Sequence, residues 1–313
     1  MSRGGVRGKR SAEEAGVVED RHRAVSSTPD RDDLITLTDG RQVAVATWQA
    51  DGELAVVLCH GNPGSRLICP DLVTTVAAGV RLIAIDRPGI GRSTPRPGFS
   101  LRDSADDVAE VLGSLGIERC TVVGWSAGAH QALAVAACHP ELVNRVVLAG
   151  GPGTPDDPDL LAQRSDAMET IIEQVRTGST TALAEVADRF QPVVDDPEMI
   201  LRNTLANEED PDRRLMQDAR IARFLTTMWA EGVRQGAAGL AAMWAAQYAL
   251  PWGFDLEDIT RPVAVWHGTD DRVCPADQAE RLARRIPDAE LRLVEGGGHL
   301  LPIEHWAAML AHP

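Results

Sequence analysis

The sequence predicts an α/β fold, a mostly parallel sheet covered by helices on both faces and interrupted by an all-helical insertion. Short apolar runs rich in Val, Ile and Leu alternate with segments of helical spacing along most of the 313 residues. Such near-continuous apolar strands are typical of parallel sheets that are buried on both faces. Between residues 150 and 261 the alternation stops and only helical spacing remains, which predicts the insertion.

Eight apolar runs predict strands, at residues 34–37, 43–48, 54–59, 80–85, 120–123, 146–149, 263–266 and 291–294. The first two runs, joined around Asp39 and Gly40, predict an antiparallel hairpin at one edge of the sheet. Later runs are followed by predicted helices at 101–115, 127–139, 276–286 and from 303 to the end. The insertion carries helical spacing at 160–175, 182–190, 213–233 and 240–250.

The predicted organisation is therefore a core in two pieces with a cap between them. Residues 1–31 are polar and rich in Arg, Glu, Ser and Gly, which predicts a disordered N-terminal tail. Residues 32–150 and 261–313 form the predicted core domain, and residues 151–260 form the predicted helical cap.

Composition excludes several classes of partner. A formal charge of −15 argues against nucleic acid, because binding to a phosphate backbone depends on clustered Lys and Arg. The sequence contains neither a signal-peptide core nor an apolar run long enough to span a membrane, so we expect a cytoplasmic protein.

The five cysteines, which have no metal-ligand spacing, are interpreted as reduced thiols, and Cys274 is the one to watch for reactivity.

The motif Gly-Trp-Ser-Ala-Gly at residues 124–128 lies between a predicted strand and a predicted helix. In a G-x-S-x-G turn a side chain at either glycine position would collide with its neighbours, and the turn presents the serine hydroxyl at the helix N-terminus. The positive end of the helix dipole would then face an oxyanion. Ser126 is the candidate nucleophile.

A second turn, His60-Gly-Asn-Pro-Gly-Ser65, follows the third predicted strand. Its small residues leave backbone N–H groups open, and the N–H groups of Asn62 and Ala127 are the candidate oxyanion donors. By itself this segment is better explained as an ordinary Gly/Pro turn after a strand. His60 is interpreted as structural.

A serine hydroxyl needs a base, and the chain offers eight histidines. His299 is the best placed, because it stands in a glycine-rich loop between the last predicted strand and the last predicted helix. His267 ends a strand and is expected to pack or hydrogen-bond locally. The third member should follow a strand between the serine and the histidine, where two adjacent acids, Asp270 and Asp271, leave the choice open.

From about residue 34 to its end the chain resembles the α/β-hydrolase fold superfamily, specifically its capped serine hydrolase branch, which includes haloperoxidase-like esterases, proline iminopeptidases and C–C bond hydrolases. Four motifs match in order: residues 60–64, Asp-Arg-Pro-Gly-Ile-Gly-Arg-Ser at 86–93, residues 124–128, and the Asp271 and His299 segments. The resemblance implies that Asp271 is the triad acid, because in this family the acid stands three positions after the glycine that ends the strand. It also implies a structural role for Asp86.

Departures from the family patterns narrow the expected activity. Epoxide hydrolases and haloalkane dehalogenases carry an aspartate at the position of Ser126, so those reactions are disfavoured. Proline iminopeptidases usually have Gly-Gly-Ser-Trp-Gly and His-Gly-Gly-Pro-Gly, whereas this chain has Gly-Trp-Ser-Ala-Gly and His-Gly-Asn-Pro-Gly. Peptidase activity is therefore not favoured.

The sequence thus predicts an esterase-like serine hydrolase that cleaves an ester-, lactone- or amide-like bond of a small apolar molecule through an acyl-enzyme, with no metal or organic cofactor. An aminopeptidase, a C–C bond hydrolase, a lyase or cyclase, and a non-catalytic binding protein are the alternatives. The candidate substrate-binding residues are Trp125, Trp229, Trp244 and Trp252, although aromatic residues at helical spacing are more often core. Natural substrate and oligomeric state are left open.

Overall fold

The computed structural model describes Val25 and residues 28–311. Its strands are β1 (Arg31–Thr36), β2 (Gln42–Trp48), β3 (Leu54–Cys59), β4 (Val80–Ile85), β5 (Cys120–Trp125), β6 (Val143–Ala149), β7 (Val263–Gly268) and β8 (Ala289–Val294). They form one eight-stranded sheet in the order β1-β2-β4-β3-β5-β6-β7-β8. The predicted disordered tail, residues 1–31, falls mainly outside the described residues.

The sheet is parallel from β4 to β8 and antiparallel at one edge, where β1 pairs with β2 and β2 pairs with β4. The predicted edge hairpin is therefore confirmed. Its turn passes through Gly40 at φ +86°, a left-handed conformation that glycine adopts without strain.

Helices cover both faces of the sheet. They are α1 (Leu72–Ala77), α2 (Leu101–Ser114), α3 (Gly128–Cys138), α4 (Pro158–Ala162), α5 (Asp166–Arg176), α6 (Thr180–Asp195), α7 (Met199–Ala206), α8 (Arg213–Met216), α9 (Ala219–Gly232), α10 (Ala238–Tyr248), α11 (Ala276–Arg285) and α12 (Leu301–Ala311). Side chains alternate between two cores, as a strand requires. In β3, Val57 belongs to the core under α2 and α3, whereas Val56 and Leu58 belong to the core under α9 and α12.

The insertion between β6 and β7 is helical throughout, from α4 to α10. Two helices predicted as continuous are each broken in two, because polar side chains cap a new helix inside them. Ser165 accepts the N–H of Met168 at the start of α5, and Asp218 accepts the N–H of Arg220 at the start of α9. The short helices α1 and α7 are additional to the predicted ones. Among the described residues, no helix has both the length and the apolarity needed to cross a membrane.

Candidate active site

Ser126 stands at the tip of a strained turn between β5 and α3. Its φ is +55°, a backbone conformation that residues other than glycine rarely adopt and that is concentrated at functional sites. A Cβ on Gly128 would lie 2.0 Å from the carbonyl oxygen of Cys59, and one on Gly124 would lie 2.6 Å from the Cα of Ala129. The collisions expected of this turn are therefore real, and the turn can form only with glycine at both positions.

Ser126 and His299 line one cavity of about 240 Å³ between the carboxyl ends of the strands and the insertion. The core contributes the turn at Gly61, Asn62 and Pro63, and the insertion contributes residues from α7, α8 and α9. The full lining is Gly61, Asn62, Pro63, Ile68, Trp125, Ser126, Ile200, Thr204, Asp210, Asp212, Met216, Leu225, Met228, Trp229, Val273, His299 and Leu300.

His299 is oriented by Asp271. The Nδ1 atom of the imidazole lies 2.8 Å from Oδ2 of Asp271, whose side chain is buried. The other carboxylate oxygen accepts the N–H groups of Val273 at 2.8 Å and Cys274 at 2.9 Å. Asp270 is exposed and its carboxylate accepts the hydroxyl of Thr269. Of the two adjacent acids, Asp271 is thus the one that contacts the histidine.

Asp271 and His299 shift each other's pKa in opposite directions. Burial raises the pKa of Asp271, but the hydrogen bond and charge of His299 outweigh burial and bring it below its ordinary value. Burial likewise lowers the pKa of His299, but the hydrogen bond and charge of Asp271, joined by Asp212 and Asp210, raise it above its ordinary value of 6.5. A raised pKa makes the imidazole a stronger proton acceptor.

The turn after β3 is held by a buried arginine. Arg87 donates to the carbonyl oxygens of His60 and Gly61 and to Oδ1 of Asn62. In a trans peptide the C=O and N–H groups point in opposite directions, so fixing the carbonyl of Gly61 also fixes the N–H of Asn62. No acceptor within residues 28–311 takes the N–H of Asn62 or of Ala127. Neither N–H group is therefore taken up within the described protein, and the role of both as oxyanion donors stays a prediction.

The four candidate tryptophans separate into two pairs. Trp125 and Trp229 line the cavity, and Nε1 of Trp125 donates to the carbonyl oxygen of His299 at 3.0 Å. Trp244 packs against the core formed by α5, α6 and α10. Trp252 packs on the buried His130 ring at 4.7 Å. Neither Trp244 nor Trp252 lines the cavity that holds Ser126, and Trp252 lines a separate cavity with Phe254 and Arg285. Their part in substrate binding stays a prediction.

Other motif residues are structural. The Asp86 carboxylate accepts the backbone N–H groups of Arg66 at 2.6 Å and Arg92 at 3.1 Å and pairs with the Arg66 guanidinium. His267 contacts the carbonyl oxygen of Cys274 at 2.7 Å, which is the local bond expected of it. The five cysteines, all within the described residues, form no disulfide bond. Burial raises the pKa of the Cys274 thiol, so it is less nucleophilic than an exposed thiol.

Asp212 is the site residue that the sequence analysis missed. It belongs to the insertion, yet its carboxylate accepts the N–H groups of His299 at 2.8 Å and Leu300 at 3.0 Å. In the sequence it stands in a run of acids and arginines that is typical of a solvated loop. Within the described ranges, His, Cys, Asp and Glu side chains form no cluster that could hold a metal ion.

Comparison with known proteins places this site in a family. A model of the alpha/beta hydrolase fold matches residues 55–305, which include the Ser126, Asp271 and His299 segments. The chain belongs to the alpha/beta hydrolase fold family. The resemblance inferred from the motifs is thereby confirmed, as is the mostly parallel, doubly covered sheet.

Two relatives with sequences similar to this chain are named as hydrolases. The chain is 28% identical over 261 residues to a 2-hydroxy-6-oxononadienedioate/2-hydroxy-6-oxononatrienedioate hydrolase of Cupriavidus pinatubonensis, covering 81% of this chain and 83% of that protein. It is 29% identical over 272 residues to a putative carbamate hydrolase RutD of Caulobacter segnis, covering 83% and 90%. A bromoperoxidase from Bacillus anthracis has the same fold, with a TM-score of 0.65, 22% identity and coverage of 90% and 98%. The protein is a hydrolase on this fold.

Proposed function

We propose that the protein hydrolyses an ester-like bond through an acyl-enzyme on Ser126, with His299 as general base and Asp271 as the residue that orients it. The observation that carries the proposal is the 2.8 Å contact between Asp271 and His299 beside a cavity whose wall holds Ser126 at φ +55°. A strained serine at a helix N-terminus, with a histidine oriented by a buried carboxylate, suits nucleophilic acyl transfer.

The proposed reaction has two steps. The Oγ atom of Ser126 bonds to the carbonyl carbon of the substrate while Nε2 of His299 takes the hydroxyl proton. The resulting oxyanion accepts the N–H groups of Asn62 and Ala127, and its collapse expels the leaving group, which takes the proton from His299. Water then attacks the acyl-enzyme by the same route, releasing the acid and restoring Ser126.

The cavity favours a small, uncharged acyl group. Its volume of about 240 Å³ lies below the usual range for drug-sized ligands, and much of its wall is apolar. Among the lining residues, the ionisable groups apart from His299 are Asp210 and Asp212, and no Lys or Arg contributes. Carboxylates in the wall of a cavity repel an anionic ligand when no cation compensates their charge. A dicarboxylate, as named for the Cupriavidus relative, is therefore a poor candidate, and an uncharged ester, lactone or amide is a better one.

Covalent labelling tests the nucleophile. A fluorophosphonate probe should label the wild type, and Ser126→Ala should abolish labelling, because such probes react rapidly only with a base-activated hydroxyl. Ser114→Ala is the matched control, since the Ser114 hydroxyl donates to the carbonyl of Glu110 on an exposed part of α2. Labelling is followed by intact-protein mass spectrometry.

Two results would count against the proposal. Labelling that survives Ser126→Ala would place the nucleophile elsewhere. Absence of labelling in the wild type, together with no turnover of p-nitrophenyl esters, lactones and amino-acid arylamides, would favour a lyase, a cyclase or a binding protein. Turnover of arylamides above esters would instead favour an aminopeptidase.

A further inference from the structure

Asp212 directs its carboxylate away from its own helix. It precedes α8, where an aspartate normally caps the first turn, but it makes no side-chain bond to that helix. Both of its oxygens are used across the molecule instead, Oδ2 by the N–H of His299 and Oδ1 by the N–H of Leu300. The carboxylate of Asp212 therefore binds the two N–H groups that directly precede α12 rather than the first turn of α8.

The loop that carries His299 is shaped to receive this carboxylate. A Cβ on Gly298 would lie 2.3 Å from Oδ1 of Asp212, so the approach requires a residue without a side chain. Asp212 is only 7% exposed, and burying a carboxylate is costly unless it is hydrogen-bonded. Two charge-assisted bonds to adjacent N–H groups supply that compensation and are stronger than bonds between neutral groups.

The carboxylate also belongs to the electrostatic surroundings of the imidazole. The ionisable groups that face His299 are Asp271 after β7, Asp212 and Asp210 from the insertion, and, behind Asp271, the ring of His267 at 3.4 Å from its carboxylate. The three carboxylates favour the protonated imidazole, and burial raises the pKa of Asp212 itself. Asp210 contributes charge but no bond to the loop; its Oδ1 accepts the N–H of Asp212 at 2.9 Å.

We propose that Asp212 is a positioning residue through which the insertion fixes the backbone at residues 299–300 and holds a negative charge beside the imidazole. The inference rests on the proposed function, in which His299 accepts the proton of Ser126. A merely structural anchor would stabilise the fold without changing how His299 titrates. In the proposed role Asp212 both holds the backbone and changes how His299 titrates, because its carboxylate is bonded to the N–H of His299 and its charge lies beside the imidazole.

The test compares three variants of the full chain by kcat against pH on a p-nitrophenyl ester. Asp212→Asn keeps the shape but offers one acceptor oxygen instead of two and no charge. We expect kcat to fall roughly tenfold, because an imidazole whose backbone is held less firmly is less often aligned with Ser126. The acid limb of the plot of kcat against pH, where His299 becomes protonated, should move to lower pH by roughly one unit. The reason is that the imidazole loses a neighbouring anion, which lowers its pKa. Asp212→Glu restores the charge and should return the limb towards the wild-type position.

Asp218→Asn is the matched control. Asp218 is another aspartate of the insertion; its carboxylate accepts the N–H of Arg220 and pairs with the Arg220 guanidinium, and it does not line the cavity. Asp218→Asn should change neither the position of the acid limb nor the value of kcat. An acid limb that stays in place in Asp212→Asn, or that moves equally in Asp218→Asn, overturns the proposal.

An NMR titration of the His299 imidazole separates this proposal from the proposed function. It is measured in Ser126→Ala, with and without Asp212→Asn, and needs no turnover. A lower pKa of His299 in the double variant supports the positioning role even if no ester is hydrolysed. An unchanged pKa overturns the positioning role even if Ser126 proves to be the nucleophile.

Discussion

Adjacent residues of like charge can have very different surroundings, as Asp270 and Asp271 illustrate. Asp271 is buried, contacts His299 through one oxygen and accepts two backbone N–H groups through the other. Asp270 is exposed, and its bond to the hydroxyl of Thr269 is a local one. A one-residue shift of this turn would exchange their roles, so the pair is a sensitive probe of the proposed chemistry.

We predict that Asp271→Asn nearly abolishes turnover while Asp270→Asn retains most of it. If the amide oxygen keeps the two N–H groups, the amide NH₂ faces His299 and forces the proton onto Nε2, which can then no longer act as a base. In serine proteases the same change lowers kcat by roughly 10⁴. Loss of a turn hydrogen bond costs only about 1 kcal/mol of stability. Measurements of kcat and of melting curves for both variants decide the matter, and the reverse pattern would contradict the assignment.

Ser126 and His299 could be predicted because each carries a local signal, whereas the choice of Asp271 over Asp270 depended on the family resemblance. Ser126 lies between two glycines at a strand–helix junction, and His299 follows three consecutive glycines. Asp212 has no such signal, because its role arises only from contact with a residue 87 positions away. Arg87 lay within a recognised motif, but its bonds to the turn after β3 depend on the packing of two neighbouring strands.

At the scale of elements, the turn between β5 and α3 is the tightest constraint near the site. Gly128 packs against the backbone of Cys59 at the end of β3, which is rigid and cannot yield as a flexible side chain would. The same strand leads into the turn that carries Asn62. Strain at residue 128 would therefore spread to both predicted oxyanion donors.

We predict that Gly128→Ala lowers the free energy of unfolding by about 3 kcal/mol and removes most activity, because the added methyl group overpacks the junction. Gly113→Ala is the control. Gly113 lies in α2, where an added Cβ meets nothing within 4 Å, and alanine is preferred to glycine in a helix by about 1 kcal/mol. Denaturant unfolding should show Gly113→Ala at least as stable as the wild type. Equal behaviour of the two variants would mean that the turn is more pliable than its geometry indicates.

Most strands were predictable at this scale because they are apolar runs bounded by turn residues. The exceptions are at the edges of the sheet, where β1 begins with Arg31-Asp32-Asp33 and β8 alternates apolar with charged residues. The helices of the insertion were predictable only in part. Hydrophobic spacing continues through residues 160–175 and 213–233. The capping bonds of Ser165 and Asp218 nevertheless end one helix and begin another inside those ranges. Spacing reports which face is buried, whereas side-chain caps decide where a helix begins.

At the scale of the whole molecule, close backbone contacts near the site join the insertion to the core. A Cβ on Gly232 of α9 would lie 2.3 Å from the carbonyl oxygen of Gly64, and one on Gly239 of α10 would lie 2.2 Å from that of Gly89. The Ser65 hydroxyl also donates to the carbonyl oxygen of Met228 at 2.9 Å. These contacts bring α9 against the turn after β3 and seat Trp229 in the cavity.

That seating leads to a prediction about substrate size. Replacing Trp229 by alanine enlarges the cavity, so longer acyl chains should gain relative to acetate. A buried methylene contributes about 0.8 kcal/mol, which is roughly fourfold per added carbon in kcat/KM. Trp244→Ala removes an equally large side chain from the same insertion, but from the core of α5, α6 and α10. It should lower the free energy of unfolding by about 3 kcal/mol and leave the chain-length preference unchanged.

The comparison is made with p-nitrophenyl esters from acetate to octanoate, alongside a melting curve for each variant. A ratio of octanoate to acetate turnover that rises in Trp229→Ala alone would support a cavity whose size is set by the insertion. Equal changes on every ester in both variants would mean that Trp229 acts only as packing. The insertion would then stabilise the site without selecting the acyl group, and chain-length preference would have to come from the core residues around Trp125 and Asn62.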